Sequence, residues 1–245
     1  MRVAITGATG YLGQTMVSWL ARRNVDVFLV GHRIADYMRA DVVFHLAAPD
    51  HRNDQDCVEF TYFNEDLATW ATKNSVPVIN TATWWQHAGV DAESLIYTRT
   101  KCGQQSMFAD QTTLTLFSVY GATARSTHGF VPQLIAHLRG QQSLAAASIQ
   151  ARDWIHVEDI CRAFWTAIEA PVGVYDVATY LQISPMDLAR VFTDEVLMVY
   201  PDKPSAVCTY TGQRLPGWRA RSAVTQYIAE ALEEQTWQSP TAIAR

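Results

Sequence analysis

Arg2-Val-Ala-Ile-Thr6-Gly7-Ala8-Thr9-Gly10-Tyr11-Leu12-Gly13 is the stretch whose reading decides the fold. The apolar, β-rich run Arg2–Thr6 reads as a buried strand ended by glycine. From Tyr11 the period changes: Leu12, Met16, Trp19 and Leu20 share one helical face, and Asn24 stops it. Glycines between a strand and a helix let the backbone turn tightly and approach a pyrophosphate, whose charge then faces the helix N-terminus. The spacing is Gly-x-x-Gly-x-x-Gly rather than Gly-x-Gly-x-x-Gly. Such a turn can also be merely structural, an alternative that its place at the first strand weakens.

Outward from this loop, Val25–Val30, Asp41–Leu46, Val76–Thr81 and Thr112–Val119 read as strands. Asn64–Lys73, Ser94–Asp110, Phe130–Arg139, Val157–Glu169, Pro185–Phe192 and Ser222–Glu234 read as helices. Strands alternating with helices predict an α/β fold with a mostly parallel sheet covered on both faces. After about residue 120 glycines and prolines loosen the alternation, so that half is expected to supply loops and short elements over the mouth of the sheet.

With 245 residues, 49% hydrophobic and 18% charged, the chain has the size and composition of a globular protein that needs no disulfide or metal staple. A net charge of −5 without any basic stripe argues against a nucleic-acid partner. No apolar run reaches membrane-spanning length, and Met1–Ile5 leads straight into the loop, so neither a membrane span nor a signal peptide is expected. The four cysteines, Cys57, Cys102, Cys161 and Cys208, are far apart and predict reduced thiols in a cytoplasmic protein. His45, His51, His87, His128 and His156 lack paired ligand spacing, so no metal site is expected.

Tyr97-Thr-Arg-Thr-Lys101 puts a phenol and an ammonium on one face of a predicted helix. A free tyrosine titrates near pH 10, too high for efficient proton transfer at neutral pH, and a nearby cation favours the phenolate. The ammonium can also hold a ribose hydroxyl. Thr81, at the carboxyl edge of its predicted strand, could hold a substrate carbonyl beside the phenol. Separately, each of these residues has an ordinary structural explanation.

Taken together, the loop, the strand-end threonine and Tyr-x-x-x-Lys resemble the extended short-chain dehydrogenase/reductases, in particular their nucleotide-sugar epimerase, dehydratase and ketoreductase group. Val43-Phe-His-Leu-Ala-Ala48 resembles the strand beside the nicotinamide end, and Asn64 matches the family's asparagine on the next helix. Leu116-Phe-Ser-Val-Tyr-Gly121, Arg152-Asp-Trp-Ile-His-Val-Glu-Asp-Ile160 and Leu215-Pro-Gly-Trp218 are similar to later segments. The resemblance implies a Rossmann-type dinucleotide-binding domain over 1–120. It implies a smaller, discontinuous substrate region over 121–245, interleaved with the last sheet elements. It assigns Thr81, Tyr97 and Lys101 to catalysis. Gly7, Thr9, Gly10, Tyr11, Leu12, Gly13, Leu46, Ala47, Ala48 and Lys101 are assigned to the cofactor. It also implies a homodimer through Asn64–Lys73 and Ser94–Asp110, which would cover Trp70 unless that side chain packs within its own subunit.

Three departures refine the reading. No acidic residue follows the second strand; His32 and Arg33 there suit a 2′-phosphate, which favours NADP(H) over NAD(H) as cofactor. Only Ile34–Ala40 lies where the family has a further helix and strand, so the sheet is expected to lack an edge strand. Ala82-Thr83 replaces the Asp-Glu pair of sugar 4,6-dehydratases, and Thr81-Ala-Thr83-Trp-Trp-Gln-His87 resembles synthases that reduce a 4-keto group on a CDP-linked sugar. Thr83, Trp84, Trp85, Arg125 and Arg152 are the candidate substrate contacts, with both tryptophans equally readable as core. The leading expectation is an NADPH-dependent ketoreductase of a nucleotide-linked 4-keto-deoxysugar. The alternatives are an epimerase that retains NAD, a reductase of a natural-product ketone, and a non-catalytic dinucleotide sensor.

Overall fold

The strand read first lies inside one parallel sheet, flanked by the second and third strands of the chain. A computed structural model describes residues 1–31, 39–49, 54–86, 95–121, 129–144, 146–195, 198–199, 208–210 and 212–237. In chain order its elements are β1 (Arg2–Thr6), α1 (Tyr11–Ala21), β2 (Asp26–Leu29), β3 (Val42–His45), α2 (Asp54–Asn74), β4 (Val78–Thr83) and α3 (Leu95–Met107). There follow β5 (Thr112–Leu116), β6 (Ser118–Tyr120), α4 (Phe130–Leu138), β7 (Ala146–Ala147), β8 (Arg152–His156), α5 (Val157–Ala167) and β9 (Val174–Val177). The last are β10 (Gln182–Ile183), α6 (Pro185–Arg190), β11 (Met198–Val199), β12 (Gln213–Arg214) and α7 (Val224–Trp237).

The main sheet has seven strands in the order β12-β9-β5-β4-β3-β1-β2, every pair parallel. The strand order reverses at β1, which opens a crevice at the carboxyl ends of β1 and β3, where ligands bind in sheets of this kind. Alternate residues of a strand face opposite sides. Val3 and Ile5 accordingly enter the apolar layer beneath α1 and α5, whereas Ala4 enters the layer beneath α2 and α3. Among the described residues β2 is the edge strand, in keeping with the short connection after it, although residues 32–38 of that connection lie outside the description.

Several elements differ from the sequence reading: Thr112–Val119, read as one strand, divides into β5 in the main sheet and β6 beside β8. Helix α2 starts at Asp54 rather than Asn64. Val58-Glu-Phe-Thr-Tyr-Phe63 is rich in β-branched and aromatic residues of modest helix propensity, but burial of Cys57, Phe60, Leu67 and Ala71 on one face overrides that preference. Strand β4 runs on through Thr83, which pairs with Leu116, instead of ending at Thr81. Val174–Val177, not read as a strand, lies beside β5 and carries β12 on its outer side, so the C-terminal half completes the main sheet. The rest of that half forms a three-stranded sheet, β10-β8-β6, and a two-stranded one, β11-β7. A separate apolar cluster around Tyr120, Leu134, Trp154, Leu188 and Ile228 joins them to α4, α6 and α7. Trp70 is partly buried against the layer beneath α2.

Candidate active site

A cleft of ≈ 600 Å³ lies where the strand order reverses, lined by Thr6–Gly13, Leu29–Gly31 and Leu46–Ala48. Its floor is backbone. Gly7 has φ +66°, and a Cβ there would lie 2.6 Å from the Ala47 nitrogen. A Cβ on Gly13 would lie 2.1 Å from the Gly7 carbonyl oxygen, so the helix can meet the loop only without a side chain. Gly10 caps α1 with no side-chain hydrogen bond, and the first-turn N–H groups that have no intrahelical acceptor face the loop. The Tyr11 hydroxyl donates to the Gly121 carbonyl at 2.9 Å, tying the loop to the end of β6.

One side chain joins the two walls. Thr6 Oγ1 accepts from the backbone N–H of Leu46 at 3.1 Å and of Ala47 at 3.0 Å, and lies 2.7 Å from His45 Nδ1. With both lone pairs engaged, the hydroxyl gives its proton to Nδ1. The ring proton therefore sits on Nε2 and is donated to Asn64 Oδ1 at 2.8 Å. His45 is fully buried among Phe60, Phe63 and Phe108. Burial, then the nearby Lys101 ammonium, push its pKa down to about 3, so it is neutral near pH 7, as this tautomer requires.

The Tyr-x-x-x-Lys end is built from buried side chains. Tyr97 lies in the first turn of α3, half-buried. Burial, then Cys57, raise its phenol above the ordinary value. The expected lowering by Lys101 does not set the direction here; desolvation of the phenolate does. The Lys101 ammonium points inward at 2% exposure. It donates to Thr81 Oγ1 at 3.2 Å and to Gln104 Oε1, and lies 5.8 Å from the Phe60 ring centroid. Burial pushes its pKa down to about 7. Thr81 is itself 7% exposed, and its hydroxyl donates to the His45 carbonyl at 3.5 Å. The expected carbonyl-holding threonine is thus engaged inside the protein. Thr83, two residues further along the same face of β4, is half-buried at the strand end.

Residues 95–178 match the model of the NAD dependent epimerase/dehydratase family. Over those residues the chain is similar to that family. The matched residues include Tyr97, Lys101 and the Arg152–Ile160 segment. Among curated proteins no sequence matches. Solved structures match over nearly the whole length. UDP-glucose 4-epimerase from Thermotoga maritima with UDP-glucose aligns at 17% identity and TM-score 0.75, covering 97% of this chain and 100% of that one. WbmG from Bordetella bronchiseptica in complex with NAD and UDP aligns at 17% and 0.75, covering 96% and 94%. RMD from Pseudomonas aeruginosa complexed with NADPH aligns at 16% and 0.72, covering 98% and 100%. At such identities the likeness establishes the fold alone.

The other candidate residues separate. Gly7, Thr9, Gly10, Tyr11, Leu12, Gly13, Leu46, Ala47 and Ala48 all line the cleft. Trp84 is 4% exposed within the main core, which corrects its expected role as a stacking surface: a buried ring has no face to offer a sugar. Arg152 is partly buried on β8, and no carboxylate among the described residues pairs with it. Burial lowers its pKa. Its neighbour Asp153 is structural, accepting from Thr179, Tyr180 and Tyr210. His32, Arg33 and Arg125, and the side chain of Trp85, lie outside the described residues. Gln104 and Asn80 were not singled out from the sequence. The signal was available for Gln104, which stands three residues after Lys101 on the same helical face.

Proposed function

We propose that this chain is an NADPH-dependent ketoreductase acting on a nucleotide-linked 4-keto-deoxysugar. The observation that carries the reading is the glycine-floored cleft where the strand order of one parallel sheet reverses, in a chain that also carries a half-buried, protonated Tyr97. The cleft suits a dinucleotide: Gly7 and Gly13 leave room where a Cβ would collide, and the N-terminus of α1 favours a diphosphate. Residues Thr6–Gly13 and Leu46–Ala48 would hold the cofactor, which when bound supplies hydride to the carbonyl carbon.

Tyr97 is the proton donor in this reading. A phenol with raised pKa is fully protonated near neutral pH and gives its proton to the alkoxide oxygen as negative charge develops there. We assign the positioning of that oxygen to Thr83 rather than Thr81, because Thr83 ends the strand and is accessible, whereas Thr81 bonds Lys101. Preorganised donors aimed at the developing charge supply much of the rate. With Thr83 in this role the following residues are Trp84 and Trp85, so no carboxylate is placed there for removing water. Arg152, and from the sequence Arg125, would meet the substrate's phosphates. Arg33, from the sequence, supports NADPH over NAD, and RMD, one of the similar structures, is complexed with NADPH. A homodimer through α2 and α3 accords with the exposed Val58, Tyr62 and Ile96 on those helices.

The test is purified protein with NADPH or NADH and a panel of UDP-, dTDP- and CDP-linked 4-keto-6-deoxysugars. Stoichiometric loss of nicotinamide absorbance with formation of the 4-hydroxy sugar is expected. The second reading, an epimerase, is favoured by the name of the matched family. Tightly retained NAD and sugar interconversion without net consumption of reductant would replace the reductase with it.

A further inference from the structure

The mechanism above leaves one buried polar group unexplained, the chain of amides behind Lys101. Lys101 Nζ donates to Gln104 Oε1, Gln104 Nε2 donates to Asn80 Oδ1, and Asn80 Nδ2 donates to Thr113 Oγ1 at 3.3 Å. Gln104 and Asn80 are fully buried, and Thr113 is 1% exposed. An ammonium has donors only, so Gln104 must turn its carbonyl toward it. The Gln104 NH₂ then needs an acceptor, which obliges Asn80 to present its oxygen, and the Asn80 NH₂ needs the Thr113 hydroxyl. Lys101 thus sets the direction of every bond in the chain.

We propose that Gln104, oriented by Asn80, is a positioning residue that holds the Lys101 ammonium inside the subunit through a neutral amide and so sets the protonation state in which Lys101 serves the site. Among the described residues the titratable group coupled to this lysine is His45 from β3, which is not a carboxylate. Thr81 from β4 and Phe60 from α2 also lie against it. A buried cation is costly when its partners are dipoles only, because an amide returns part of the lost hydration but none of the charge. A carboxylate in the place of the amide would remove that cost and keep the proton on the lysine. The depressed titration of Lys101 has burial as its cause and agrees with this geometry.

The inference rests on reading Lys101 as part of the proposed site, and its test needs neither substrate nor cofactor. The chain has only three lysines, Lys73, Lys101 and Lys203. Labelling lysine Cε with carbon-13 in the full chain therefore yields three signals, assignable with Lys101→Arg and Lys73→Arg. The Lys101 signal is expected to titrate about two or more units below that of Lys73, which is exposed. Gln104→Glu should move it up by about 1–3 units, and Gln104→Leu should move it further down. Asn80→Asp, which keeps an acceptor for Gln104 and adds charge one residue further off, should give a smaller upward shift if Gln104→Glu does not fold. Lys101 titrating together with Lys73, or staying put in a folded Gln104→Glu protein, would overturn the assignment. In turnover, the alkaline limb of the kcat/KM profile should follow the same shifts. An inactive protein that shows the expected titrations would sink the proposed reaction and leave the role of Gln104 standing.

Discussion

The glycine loop and the Tyr97–Lys101 region are built on opposite principles. At the glycine loop the walls are backbone, and shape comes from side chains that are missing at Gly7 and Gly13. In the Tyr97–Lys101 region the long Lys101 side chain is held by Thr81 and Gln104, and through Gln104 by Asn80. A backbone site tolerates no added atom, whereas a side-chain site tolerates many substitutions that alter its protonation and leave its shape. The same sheet edge therefore holds one region sensitive to volume and another sensitive to charge.

The largest effect should fall on the side-chain end. Tyr97→Phe removes the transferable proton and is expected to cut kcat by about 10²–10⁴-fold while nicotinamide binding, followed by fluorescence, is unchanged. Next is Gly13→Ala. Its methyl meets the Gly7 carbonyl, and overpacking of about 1–3 kcal/mol should weaken dinucleotide binding by roughly 5–150-fold. If calorimetry finds binding intact, the backbone account of that end is broken.

The two threonines sharpen the comparison within one strand. Thr83→Val should lower kcat by about tenfold or more with an unchanged melting temperature. Thr81→Val should instead lower stability by about 1–3 kcal/mol, because it strips an acceptor from a buried ammonium. Reversed outcomes in parallel denaturation and rate measurements would return the carbonyl-holding role to Thr81. A pH-dependent effect is expected at His45. Its folded pKa of about 3 lies below the ordinary 6.5. The unfolded chain therefore binds the proton first, and the stability present above pH 6.5 is lost as pH falls toward 3. In a His45→Gln protein that part of the acid slope should disappear from melting curves.

Much of the fold was legible because it is periodic. Arg2–Thr6 and the α1 stripe of Met16, Trp19 and Leu20 came directly from apolar spacing, and nine of the expected cofactor contacts line the cleft. The first half of α2 was not legible, since its aromatic and β-branched residues are helical only because α3 and the sheet cover them. The end of β4 was misplaced by two residues for a related reason. Ala82 and Thr83 are strand because Thr115 and Leu116 pair with them, and that pairing partner is remote in the chain. A two-residue shift preserves the face of the strand but moves the hydroxyl by about 6–7 Å, enough to exchange a buried structural threonine for one at the rim.

By itself the sequence determined the α/β class, the glycine loop and the phenol–ammonium pair, because these depend on local spacing and on which atoms a residue carries. Only the tertiary structure decided which threonine stands at the edge, that Trp84 belongs to the core, and that the lysine is held by a neutral amide. Those outcomes depend on burial and on partners remote in the chain, and both change the free energy of a charge or a hydroxyl more than any neighbour in sequence does.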